Sequence, residues 1–151
     1  METFKAILKF IGEELVLFVI GAFLYMGIEI LYRGYTHWTM GVVGGLCFVI
    51  IGLLNEGCGW RIPFWRQCLI GACVVTFFEF VSGFILNIIL GLNIWDYSNM
   101  PFNILGQVCL PFSIIWFFLS GIAIIVDDYL RYWLFGGKKP EYFKFDKLKN
   151  F

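Results

Sequence analysis

The chain has 151 residues, of which 60% are hydrophobic, 21% aromatic and only 15% charged, with zero formal net charge. Soluble domains are about 45–50% apolar and about 25% charged, so with a mean hydropathy of +0.83 this composition excludes an ordinary soluble domain and indicates a membrane protein. The balanced charge leaves no global basic surface for nucleic acid.

The expected fold is all-α: a polytopic membrane protein with four transmembrane helices and a short N-terminal interfacial helix. Met1–Ile11 reads as that short helix. Met1, Phe4, Ile7, Leu8 and Ile11 share one face and Glu2, Lys5 and Lys9 avoid it, with Gly12 allowing a bend. The alternative, a first span that simply extends inward, is equally consistent with this pattern. Spans are expected near residues 14–32, 39–54, 68–90 and 104–126. Residues 1–133 then form the membrane domain, and 134–151 form a basic, aromatic cytoplasmic tail. Span two carries Gly41 and Gly45 at small-xxx-small spacing, which suits close helix contact within the chain. The segment Gly57–Gln67 mixes Trp60 and Trp65 with Arg61 and Arg66, an interfacial anchor. The tail interleaves lysines with Tyr142, Phe143, Phe145, Leu148 and Phe151, suiting an anionic inner leaflet.

Basic residues are sorted by side. Lys5, Lys9, Arg61, Arg66, Arg131, Lys138, Lys139, Lys144, Lys147 and Lys149 fall on one side, and Arg33 alone on the other. The positive-inside rule then places both termini in the cytoplasm of a multi-pass cell-membrane protein. No cysteine falls in an outer loop, Cys47, Cys73 and Cys109 being assigned to spans, so no disulfide framework is expected.

Glu79 lies near the middle of span three, about 16 Å from each end. A carboxyl at that depth is costly and usually faces a cavity or a partner. Gly83 and Asn87 follow it at i+4 and i+8 on one face, with Thr76 and Ser82 beside it. Glu29 and Arg33 end span one, and Thr36, His37 and Trp38 follow. Loop three supplies Trp95, Asp96, Tyr97 and Ser98, while Asn103 and Gln107 open span four. Packing spans one, three and four together would gather these groups into an outward-facing polar pocket with Glu79 at its floor. The candidate binding residues are therefore Glu79, Glu29, Arg33, His37, Asn87, Trp95, Asp96, Tyr97, Ser98, Asn103 and Gln107. Each has a structural reading too: an interfacial ion pair for Glu29 and Arg33, turn bonds for Asp96 and Ser98, a helix cap for Asn103. On the inner side, Glu56, and Asp127 with Arg131 four residues on, read as interface markers.

His37 is the single histidine, so a Ser98–His37–Asp96 hydrolytic set is conceivable, but no nucleophile elbow supports it. A metal site from Glu29, His37 and Asp96 lacks diagnostic spacing. No P-loop is present. No catalytic residue, metal or cofactor is assigned, and the expectation is a protein that is not an enzyme.

The set Glu29, Tyr32-Arg33-Gly34, Thr36-His37-Trp38, Thr76-Phe77-Phe78-Glu79-Phe80, Ser82-Gly83, Trp95-Asp96-Tyr97-Ser98, Pro101-Phe102-Asn103 and Gly106-Gln107 resembles the bacterial family called putative ABC-transporter type IV, the CmpB-like permeases. The resemblance covers about Gly27 to Trp116. It implies a membrane permease or solute-binding subunit, working as a homo-oligomer or with a larger transporter partner. The Trp-Asp-Tyr-Ser turn also resembles a family of animal multipass membrane proteins. Two other readings remain: an enzyme or binding protein for a lipid headgroup, with Arg33 on a phosphate, and a structural or assembly protein whose polar groups set helix register.

Overall fold

The computed structural model describes residues 1–58 and 61–142. It contains helices α1 (Glu2–Arg33), α2 (Trp38–Cys58), α3 (Phe64–Gly83), a π-helical continuation of α3 (Phe84–Ile89), and α4 (Leu110–Phe135). Four helical segments are long and apolar enough to cross a membrane. Hydrophobic side chains point outward along all of them, as expected where lipid is the solvent.

α1 corrects the expected N-terminus. It runs unbroken for 32 residues, with no separate short helix before the first span. One glycine costs a helix only about 0.5–1 kcal/mol relative to alanine. Gly12 therefore cannot break a segment with no proline, and Lys9 and Glu13 pair across it at 3.7 Å. The helix ends at Gly34, in the left-handed conformation at φ 80°, whose N–H returns to the Ile30 carbonyl.

α2 is the hub, packing against α1, α3 and α4. Its glycines let the backbones approach. A methyl at Gly45 would lie 2.6 Å from the Phe18 carbonyl oxygen, and one at Gly41 would lie 2.9 Å from the Met26 sulfur. The small-residue pair is thus used against α1 of the same chain. The central core joins Cys47 and Ile51 of α2, Ala72 and Val75 of α3, and Trp116 and Ile124 of α4. The buried cysteines Cys47, Cys68 and Cys109 and the exposed Cys58 and Cys73 are all free thiols.

The fourth span begins and ends later than expected. Pro111 cannot continue a helix already begun at 104, because its ring would clash with the carbonyl of Gln107. The helix instead starts with Pro111 in its first turn and Cys109 as its extended N-cap, so Cys109 precedes the span. Residues 104–108 form a tight bridge, Ile104 to Val108, turned by Leu105 at φ 53° and Gly106 at φ 69°. At the other end α4 continues past Asp127 and Arg131 to Phe135. Those two residues are buried against neighbouring helices, Asp127 fully. The hydropathy pattern broke at their charges, and in the fold Arg131 pairs with Asp127 and with Glu14 of α1.

Glu14 of α1 meets Arg131 of α4, and Asn55 of α2 meets Asp128 of α4. The start of α1 and the end of α4 therefore lie at one end of the bundle, and the 34–37 and 90–109 connections lie at the other. Arg66 sits over the exposed Trp65 ring at 5.2 Å. Gly59 and Trp60 of that loop, and the tail from Phe143 onward, lie outside the described residues.

Candidate functional site

Glu79 projects from α3 into the bundle and is 3% exposed. Its two oxygens have different partners. Trp116 Nε1 of α4 donates to Oε2 at 2.9 Å, and Tyr97 Oη of the 90–109 loop donates to Oε1 at 3.1 Å. Neither donor is charged, so the hydrogen bonds that hold the carboxyl bring no balancing positive charge. Two rings brace these donors. Trp116 stacks on Tyr25 of α1 at 5.9 Å, and Tyr97 stacks on Phe112 at 4.6 Å. Burial pushes the Tyr97 hydroxyl well above its ordinary pKa, and the neighbouring Glu79 adds to this, so Tyr97 stays a neutral donor.

A second polar layer closes the end above Glu79. Ser82 Oγ donates back to the Phe78 carbonyl at 2.7 Å, a bond that competes with the helical ladder where α3 passes into the π turn. The Glu79, Gly83, Asn87 face survives this change of pitch, and all three are buried. Asn87 then reads the loop: its Oδ1 accepts from Ile94 N at 2.7 Å, and its Nδ2 donates to Gln107 Oε1 at 2.9 Å. Trp95 Nε1 donates to the Gln107 carbonyl at 2.9 Å. A methyl at Gly83 would meet Gln107 Oε1 at 2.6 Å and Trp95 at 2.8 Å, so the loop rests directly on the helix. Gln107 thus acts from the bridge before α4, not from inside the span as expected.

Glu29 and Arg33 join this layer. Arg33 donates to Glu29 Oε1 at 2.6 Å and to the Ile94 carbonyl at 3.1 Å, while Thr36 donates to Glu29 Oε2 at 2.5 Å. Ile94 is the junction, since its N–H is held by α3 and its carbonyl by α1.

Asp96, Ser98 and Asn103 stand apart from Glu79. Asp96 and Ser98 are exposed and bond to each other, through Ser98 N at 2.8 Å and through the Ser98 hydroxyl. Those bonds, the hydroxyl first, hold the Asp96 carboxyl below the ordinary aspartate range. Asn103 caps the loop itself rather than span four, donating to the Ser98 and Met100 carbonyls and accepting from Gly106 N. His37 lies at the start of α2 and pairs with Thr39 Oγ1 at 2.7 Å. The Ser98–His37–Asp96 set is therefore not assembled. Among the described residues no three His, Cys, Asp or Glu side chains converge as metal ligands.

Trp116 and Tyr25 escaped the sequence reading because an aromatic inside an apolar span carries no polar signal. Below them, an apolar cavity of about 170 Å³ lies between α1, α2 and α4, bounded along α4 from Trp116 to Val126. Thr76 donates to Ser113 at 3.1 Å beside a wider groove between α3 and α4. Glu79 lines neither space; loop and aromatic rings cover it.

Comparison with curated proteins and with solved structures returns no match. Residues 16–135, all four spans and the loop that carries Trp95 to Gln107, match a family of membrane transport proteins. Four apolar helices, a buried carboxyl among them and a match over most of the length identify the chain as a member of the family described as Putative ABC-transporter type IV.

Proposed function

We propose that this membrane transport protein is a permease or solute-binding subunit whose site is centred on Glu79 and reached from the outer side. The observation that carries the reading is the pairing at Glu79: an ionisable group, buried mid-span, held among the described residues by the neutral donors Trp116 and Tyr97. An asparagine or glutamine could accept those bonds at lower cost. A carboxyl is needed where a proton, a cation or the positive end of a solute must be held. The Asn87–Gln107–Trp95 layer and the Arg33–Ile94 bond form the cover that must open. The cytoplasmic placement of both termini follows from the distribution of Lys and Arg, and puts this cover outside.

The lipid-headgroup reading is weaker, because Arg33 already engages Glu29 and the Ile94 carbonyl. A chain of 17.5 kDa with four spans is small for a complete transport pathway, which favours work with a second copy or a larger transporter partner.

The test is mass spectrometry of small molecules retained by protein purified in native lipid. A polar solute held by wild type and by Asp96→Asn, and lost in Glu79→Gln, is expected. Equal content in all three preparations, with Glu79→Gln folded, would rule the site out.

A further inference from the structure

A second group of ionisable side chains is buried at the end that holds the start of α1 and the end of α4, apart from Glu79. Arg131 of α4 grips Glu14 of α1 with both terminal nitrogens, at 2.6 and 3.0 Å, and its Nε donates to Asp127 Oδ2 at 2.7 Å. Asp128 accepts from Asn55 of α2 at 2.6 Å and from the Tyr142 hydroxyl after α4. Asp127 is 0% exposed, Asp128 4% and Arg131 6%.

Among the described residues the charges do not balance. Glu14, Asp127 and Asp128 are three carboxyls, and among the described residues Arg131 is the basic side chain paired with them. Buried carboxylates without a counter-charge cost several kcal/mol each, about enough that such groups take up a proton instead. Position within the cluster selects which one. Both Glu14 oxygens are held by the guanidinium, and Asp128 has two neutral donors. Asp127 shares Arg131 with Glu14, and its Oδ1 is buried with no hydrogen-bond partner among the described residues. That carboxyl lies over Gly52, where any Cβ would collide with it. The facing groups are Glu14 from α1, Asn55 from α2 with exposed Glu56 beside it, Gln67 at the same end of α3, Asp128 and Tyr129 on α4, and Tyr142 with neighbouring Glu141. Apart from Arg131 none of these is basic. No three His, Cys, Asp or Glu side chains converge as metal ligands among the described residues, which favours a proton over a metal ion.

The geometry points to Asp127 as a second proton-binding site, at the opposite end of the bundle from the loop that covers Glu79, where its free oxygen takes one proton from hydronium, leaving water, and returns it to water on release. The apolar cavity running from Trp116 to Val126 separates the two carboxyls.

The experiment is isotope-edited infrared titration of the full chain in lipid nanodiscs, with aspartate carboxyls labelled by ¹³C so that Glu79 and Glu14 stay out of the labelled signal. A protonated aspartate band at neutral pH is expected in wild type and in Glu79→Gln, and is lost in Asp127→Asn. Full ionisation of all labelled aspartates in wild type would overturn the proposal, and this reading needs no variant to fold. A band that survives Asp127→Asn but vanishes in Asp128→Asn would overturn it as well. So would a band abolished by added Na⁺, which would make a metal cation the ligand.

Discussion

Tyr97, in the loop, donates its hydroxyl to Glu79, in the third helix, at 3.1 Å, and this bond ties the cover of the bundle to its buried carboxyl. Under the proposed function, this bond couples opening of the cover to the charge at Glu79. Tyr97→Phe separates them, since the ring keeps its stack on Phe112 at 4.6 Å while Glu79 Oε1 loses its donor. Leaving a buried acceptor unsatisfied costs roughly 1–3 kcal/mol. A fall in thermal stability of that size in lipid is expected, and an unchanged melting curve would contradict the bond.

Helix contact predicts opposite effects for two glycines. Gly45→Ala drives a methyl to within 2.6 Å of the Phe18 backbone oxygen, which cannot rotate away. Overpacking of this kind costs about 1–3 kcal/mol. Gly12→Ala meets nothing within 4 Å, and in an unbroken helix it should stabilise by up to about 1 kcal/mol. Comparing the two melting curves checks both the α1–α2 contact and the continuity of α1.

Arg131→Ala removes the one guanidinium shared by Glu14 and Asp127. Breaking a buried pair by deleting one partner costs about 3–5 kcal/mol. Loss of folded protein during extraction is expected, and Glu14→Gln in the same background should restore part of it by removing one orphaned charge. Size-exclusion recovery of wild type and the two variants reads this directly.

The loop also has a pH signature with a definite sign. Ser98 holds the Asp96 carboxyl below its ordinary value of 3.8, so the folded loop favours the charged form. That contribution is complete at neutral pH and is lost as pH falls below 3.8 toward the folded-state value. Amide exchange at Ser98 should accelerate in that acid range in wild type. In Asp96→Asn it should be insensitive to pH there once the intrinsic exchange rate is divided out.

The sequence by itself determined the class of the molecule. Four long apolar stretches, separated by short polar ones, leave only a helical membrane bundle, because the backbone in hydrocarbon must satisfy its own hydrogen bonds. It also marked Glu79, since a lone carboxyl inside such a stretch stands out, and the i, i+4, i+8 face to Asn87 held even through a π turn. Long-range pairing was decided by the tertiary structure alone. Trp116 reaches Glu79 from 37 residues away, and Glu14 reaches Arg131 from 117, and nothing local to either partner encodes those distances. The sequence showed Asp127 and Arg131 only as charges near the end of a span, because hydropathy counts each residue alone. Their burial depends on a partner from the first helix, and only the packed bundle supplies it.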